Sequence, residues 1–203
     1  MNSRLLTIVT TLLLVIGFAR AEAQLIGFED LTAGSASFND LGIDQTYFGY
    51  TWTADNSNQQ PTLWGAAEGV LGDVSAFEGT GFAWTFNGGQ SMFVDFFGPK
   101  HVQGVYLAGQ FPGNSSSSVQ MFGYDQSNNL VATSAPLDLV DGQWQFLSGG
   151  ELTIIGVHRL ELRSNAPTTW FAIDNLEISE VPEPSSVLLF AAFGVAAGVR
   201  RRR

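Results

Sequence analysis

Between Gln24 and Glu180 no stretch sustains the 3.6-residue apolar period that a helix with one buried face requires. Short runs rich in Val, Ile, Thr and aromatic residues recur instead, separated by Gly, Asn, Asp, Ser and Pro. The pattern predicts strands near 25–29, 47–53, 82–86, 91–97, 102–108, 118–125, 130–134, 144–147, 157–163 and 170–178. Several alternate cleanly. In the run ending at Ser164, Leu160 and Leu162 face one way, and Arg159, Glu161 and Arg163 face the other. In the last run Ala172, Asp174, Leu176 and Ile178 share the apolar face, so Asp174 is its odd member; a bulge there would change the register. Turn signals fit this reading: Asn87-Gly88-Gly89, Gly98-Pro99, Ser127-Asn128-Asn129 and Asp141-Gly142. About ten strands at this spacing predict an all-β fold, an antiparallel jelly-roll-like β-sandwich.

Both ends read as addresses rather than fold. Residues 1–23 hold Arg4, an apolar run from Leu5 to Ala19 and then Ala21-Glu22-Ala23, the layout of a secretory signal peptide, expected as a helix and removed on export. The sandwich domain is then 24–180, long enough for one core. Residues 181–203 begin Val181-Pro182-Glu183-Pro184. Two prolines around one residue forbid both strand pairing and helix continuation, which leaves an extended, exposed peptide. An apolar run at 187–199 follows, expected as a short transmembrane helix. It ends in Arg200, Arg201, Arg202 and Arg203, a cluster that stays on the cytoplasmic side.

Charge and cysteine usage narrow the chemistry. The 24–180 segment carries three cations, Lys100, Arg159 and Arg163, against 17 carboxylates, a net charge of −14. Such a surface has nothing to neutralise phosphates, so no nucleic-acid partner is expected. The chain has no Cys, hence no disulfides and no thiolate metal sites. Asn114-Ser115-Ser116 matches the N-glycosylation pattern, a cheap match within a flexible loop.

The ending resembles the sorting signal of PEP-CTERM proteins, bacterial envelope proteins with a Pro-Glu-Pro element, a short membrane helix and a basic tip. The matching residues are Pro182, Glu183, Pro184, the run 187–199 and Arg200 to Arg203. The resemblance implies an inner-membrane-anchored precursor, processing by an exosortase, and delivery to the cell surface or an extracellular polysaccharide matrix. The body, through Phe28-Glu29-Asp30 and the run 171–178, resembles galactose-binding-like jelly rolls. In such modules an acid after the first strand and one on the last often hold a structural Ca²⁺. That resemblance makes Glu29, Asp30 and Asp174 the ligand candidates, with backbone carbonyls completing six to eight oxygens. The other reading of Asp174 is a carboxylate capped by backbone N–H groups at a bulge.

For sugar binding, the stretch from Tyr50 to Trp64 puts Trp52 and Trp64 around a polar loop, the best pocket rim in the sequence, with Trp144 a further aromatic of uncertain place. Trp84 and Trp170 read as core. Two histidines, His101 and His158, cannot build a three-histidine zinc site, and no nucleophile elbow or phosphate loop occurs. No catalytic residues are assigned. The expected function is a non-catalytic exported envelope or matrix protein. The alternative is a lectin-like carbohydrate-binding module, and behind both stands a glycosidase-type enzyme, for which no carboxylate pair is singled out.

Overall fold

The structure is a computed structural model that describes residues 23–29, 39–41, 45–54, 64–68, 70–71, 74–85, 91–109, 118–166 and 171–181. The chain divides into two compact units, Ala23–Ser179 and a second made of Met1–Glu22 and Glu180–Arg203. The expected signal helix and transmembrane helix, with Pro182, Glu183, Pro184 and Arg200 to Arg203, lie outside the described residues, as does the Asn114 sequon. Among the described residues no helix is long and apolar enough to cross a membrane.

Among the described residues fifteen strands follow one another: β1 Ala23–Ile26, β2 Asn39–Leu41, β3 Gln45–Tyr47, β4 Tyr50–Ala54, β5 Trp64–Glu68, β6 Val70–Leu71, β7 Val74–Ser75, β8 Gly81–Thr85, β9 Ser91–Gly109, β10 Ser118–Tyr124, β11 Leu130–Thr133, β12 Leu137–Asp138, β13 Gln145–Ser148, β14 Val157–Ser164 and β15 Phe171–Glu180. Thirteen form one antiparallel sheet with the path β11-β10-β14-β9-β15-β8-β5-β2; β1 adds to β15, β12 to β10, β13 to β9, and the β3–β4 hairpin to β9. The pair β6–β7 stands apart.

The sheet curls on itself. Its first half, β4, the start of β9, β14 and β10, turns Trp52, Val94, Leu160, Leu162, Val119 and Met121 inward; its second half turns in Ala83, Leu107, Leu147, Phe171, Ile173, Leu176 and Ile178. All belong to one buried cluster. Each fully buried side chain of this size stabilises the fold by about 1.5–3 kcal/mol. The expected sandwich is therefore made from a single folded-over sheet, and β9, at 19 residues, is the strand both halves share.

That strand departs from the expected turn at Gly98-Pro99. Asp95 pairs with Arg159 and Lys100 with Val157, so residues 96–99 stand opposite His158 alone. Proline has no N–H to give a ladder, and the chain places it in a bulge, where none is needed. The opposite correction applies to 47–53. It is a hairpin, with Tyr47 paired to Tyr50 across Phe48 and Gly49, whose φ angles of 55° and 79° suit the primed turns that match strand twist.

Strand β15 has the bulge that its sequence pattern raises. Phe171 and Ile173 face the main core, as do Leu176 and Ile178. Strict alternation cannot do this, because 173 and 176 differ by an odd number. Asn175, at φ 48°, supplies the extra residue. The partner changes at the same place: Ala172 and Ile173 pair with β8, and Leu176 to Ser179 pair with β1.

We expect Asn175→Val to lower stability by about 1–3 kcal/mol, since a β-branched residue is strained at positive φ. Asn175→Gly should lose less. Chemical denaturation of the two variants checks the order, and equal losses would contradict a conformational role for this position.

Candidate functional site

The two sites predicted in the body have different fates. Trp52 is corrected: it is 3% exposed, donates its indole N–H to the Tyr47 carbonyl at 2.9 Å and meets Phe28 edge-on. A ring enclosed this way has no face for a sugar. Trp64 opens β5, and its side chain is outside what the structure describes. Asp30 and Trp170 also lie outside the described residues.

Glu29 and Asp174 do converge, on the loop 77–81. Asp174 is fully buried. Its Oδ2 accepts from the backbone N–H groups of Phe77 at 3.1 Å and Glu78 at 3.3 Å, and its Oδ1 accepts from that of Asn175 at 2.8 Å. Glu29 Oε2 accepts from the N–H groups of Thr80 at 2.6 Å and Gly81 at 3.3 Å and from the Thr80 hydroxyl. The Asn175 side chain donates to Glu78 Oε2 at 2.9 Å. Gly79, at φ 64°, lies so close to the Glu29 carboxylate that any side chain there would strike it. Both Asp174 oxygens and Glu29 Oε2 already accept from N–H groups, and among the described residues no group of three or more His, Asp or Glu is arranged to hold a metal. The arrangement is the capped bulge, extended into a two-carboxylate anchor for a loop.

The anchored loop carries an aromatic platform that sequence reasoning missed. Phe77 stacks on Tyr106 with centroids 3.8 Å apart and planes 18° off parallel. Phe146 sits 5.0 Å from Tyr106, and Trp144 meets Phe77 and Phe82 edge-on at 6.2 Å and 6.0 Å. Trp144 donates its indole N–H to the Ser75 carbonyl at 2.7 Å. These rings lie on the sheet face opposite the main core. Beneath them is a second apolar cluster of Val74, Phe82, Trp84, Ala108 and Ala172. Gly104, two residues before Tyr106, leaves the space that the Phe146 ring occupies. Phe77 and Phe146 remain 41% and 40% exposed. The available signal was the alternation Trp144, Phe146 across from Tyr106 on β9, which puts aromatics on the face away from the core.

The outer face of the other half is different. Cross-strand pairing sets Thr51, Asp95, Arg159 and Tyr124 in one row and Thr53, Phe93, Glu161 and Phe122 in the next. Glu161, 2% exposed, accepts from Arg163 twice at 2.7 Å, from Ser91 at 2.6 Å and from Tyr124 at 2.5 Å. Burial works to raise its pKa, but Arg163, Ser91 and Tyr124 together outweigh burial and hold it below the usual carboxylate value. Arg159 grips Asp95 with two donors. Arg163 and Arg159 also cover the Phe122 and Phe93 rings at 4.3 Å and 5.6 Å. Two of the body's three cations are thus committed to internal carboxylates on this face.

Burial pushes the Asp174 carboxyl up to about 6 from 3.8, against the opposing pull of the backbone N–H groups of Glu78, Asn175 and Phe77, and the Glu29 charge adds to the rise. Its folded value lies above its unfolded one, so its stabilising contribution is complete below the unfolded value and is lost as pH rises through about 6. We expect stability to increase from pH 7 to pH 5 by about 1 kcal/mol, and Asp174→Asn to flatten that slope. Glu161 acts in the opposite sense and at lower pH, because its depressed value stabilises above the unfolded 4.5 and is lost below. Thermal melts of both proteins across this window check the assignment; parallel slopes would contradict it. A chelator should leave the melting midpoint unchanged.

Comparison with known proteins finds no match among curated sequences. The fold is shared with a DUF4465 family protein from Bacteroides caccae, at 11% identity, TM-score 0.54 and coverage of 79% of this chain and 100% of that one. Looser likenesses are the CBM22-1–GH10 modules of Clostridium thermocellum xylanase 10B complexed with xylohexaose (14% identity, TM-score 0.47, 81% of this chain and 29% of that one) and the K2 cleaved adhesin domain of Lys-gingipain (12%, 0.47, 79% and 99%). At the other end of the scale of specificity, residues 180–203 match the family model described as the PEP-CTERM protein-sorting motif. The chain thus carries a PEP-CTERM protein-sorting motif, placed directly behind an all-β body that shares its fold with the DUF4465 family protein.

Proposed function

We propose that this protein is an exported, non-catalytic surface or matrix protein, delivered through its C-terminal motif and trimmed by an exosortase. The observation that carries the reading is where the motif falls. It starts at residue 180, and β15 ends at Glu180. The body Ala23–Ser179 is a compact unit of its own, so loss of residues 181–203 leaves every strand and core residue described above in place. Val181-Pro182-Glu183-Pro184 cannot extend the sheet, which keeps the junction accessible to a processing enzyme.

An associative rather than catalytic role draws support from the carboxylates of the described body. Glu29, Asp95, Glu161 and Asp174 each hold structure: a loop, an arginine or a bulge. The carbohydrate-binding reading is favoured by the exposed aromatic platform around Phe77 and Phe146.

Intact-mass analysis of the mature protein tests the sorting reading. In a host with the exosortase, the recovered chain should lack the apolar run and Arg200 to Arg203. Replacing Pro182 and Pro184 by Ala should leave the full C-terminus in place. A mature wild-type chain that still ends in Arg203 would refute processing.

A further inference from the structure

We infer that the platform of Phe77, Tyr106, Phe146 and Trp144 is a binding site for a neutral polysaccharide, a polymer of gluco-configured pyranose rings. The inference rests on the surface display proposed above, which would bring this face into contact with extracellular polysaccharide.

The rings are costly where they stand. Phe has no polar atom to satisfy in water, yet Phe77 and Phe146 keep 41% and 40% of their surface open. Neighbouring exposed aromatics of this kind mark ligand surfaces, whereas scattered ones need no explanation. Here they are in contact: Phe77 lies flat on Tyr106, and Phe146 adjoins Tyr106. Phe77 lies with one ring face on Tyr106 and still leaves 41% of its surface to a partner. A gluco-configured pyranose suits such a face, because its axial C–H groups form an apolar plane and its equatorial hydroxyls point outward to water and rim groups.

The platform is also pre-organised, which lowers the entropy lost on binding. Phe77 is not on a free loop. Its own N–H is held by Asp174, and the loop's far side is held by Glu29 through Thr80 and Gly81. Trp144 is tied to the Ser75 carbonyl, and Phe146 rests over Gly104. A positioning role for two carboxylates therefore accompanies a stacking role for the exposed rings, Phe77 and Phe146.

Charge selects the neutral polymer. The 24–180 segment carries −14, so a polyuronate would be repelled at range. The carboxylates beside the platform are engaged within the protein, Glu78 with Asn175 and Asp174 with backbone N–H groups. Two of the three cations that would attract an acidic sugar, Arg159 and Arg163, lie on the other half of the sheet, paired with Asp95 and Glu161.

Native affinity electrophoresis of the full-length chain in mild detergent tests this, with hydroxyethylcellulose as the neutral polymer and alginate as the acidic one. The expected result is retardation by hydroxyethylcellulose and none by alginate. The double variant Phe77→Ala, Phe146→Ala should weaken the retardation roughly tenfold, as loss of two stacking rings implies. Ile154→Ala, which trims an exposed apolar residue elsewhere, should leave it unchanged, and melting midpoints identify any variant that fails to fold. Asp174→Asn, which weakens the loop anchor and leaves all four rings in place, should weaken retardation by a smaller factor. No retardation by the neutral polymer overturns the inference. So does retardation undiminished in a folded double variant, which would keep carbohydrate binding but move it elsewhere. Concentration-dependent sedimentation that the double variant abolishes, without retardation, would assign the platform to a second copy of the chain and also overturn it. None of these outcomes touches the sorting reading, which the mass of the mature protein tests alone.

Discussion

One inserted residue in the last strand couples the core to the outer face. Asn175, at positive φ, lets Phe171 and Ile173 on one side of it, and Leu176 and Ile178 on the other, all enter the same core. The same insertion leaves Asp174 on the opposite face, buried and ionisable. A carboxylate in that position needs donors, and it finds them in the backbone of the loop 77–81. The loop in turn sets Phe77 on Tyr106. Core register, loop position and aromatic platform are thus consequences of a single local departure from strand geometry.

The polar chemistry of the body divides between the two outer faces. On one half Arg159 and Arg163 each close on a carboxylate and an aromatic ring, a lattice in which Glu161 is almost fully buried and fully donated to. Breaking one partner of such a pair leaves an uncompensated charge, so the lattice is rigid. On the other half Asp174 and Glu29 are held by backbone N–H groups of the loop 77–81. An acidic body with few cations can afford one arginine lattice, and Asp174, the other buried acid among the described residues, falls back on main-chain donors.

Much of the architecture was legible. Alternation located most strands, the face of Arg159, Glu161 and Arg163 was read correctly, and Asp174 was singled out because an acid among Ala172, Leu176 and Ile178 violates the pattern. The errors have physical causes. Gly98-Pro99 looks like a turn, but a bulge of four residues also disposes of a proline. Phe48-Gly49 hides a hairpin inside an unbroken aromatic run, because Phe is an uncommon residue at positive φ. Trp52 seemed a rim residue from the polar loop that follows it, but pairing with Val94 turns its side chain into the core.

The sequence by itself determined the strand content, the absence of disulfides, the charge, and the sorting motif at the C-terminus, because each depends on residues that are contiguous or merely counted. Tertiary structure alone decided which aromatics meet solvent and what Glu29 and Asp174 bind. Phe77, Tyr106 and Phe146 are far apart in the chain and are joined only by the pairing of β13 with β9 and by the loop anchored to β15. Long-range register of that kind leaves no local periodicity to read, since a strand's pattern records that a face is buried and not which strand covers it.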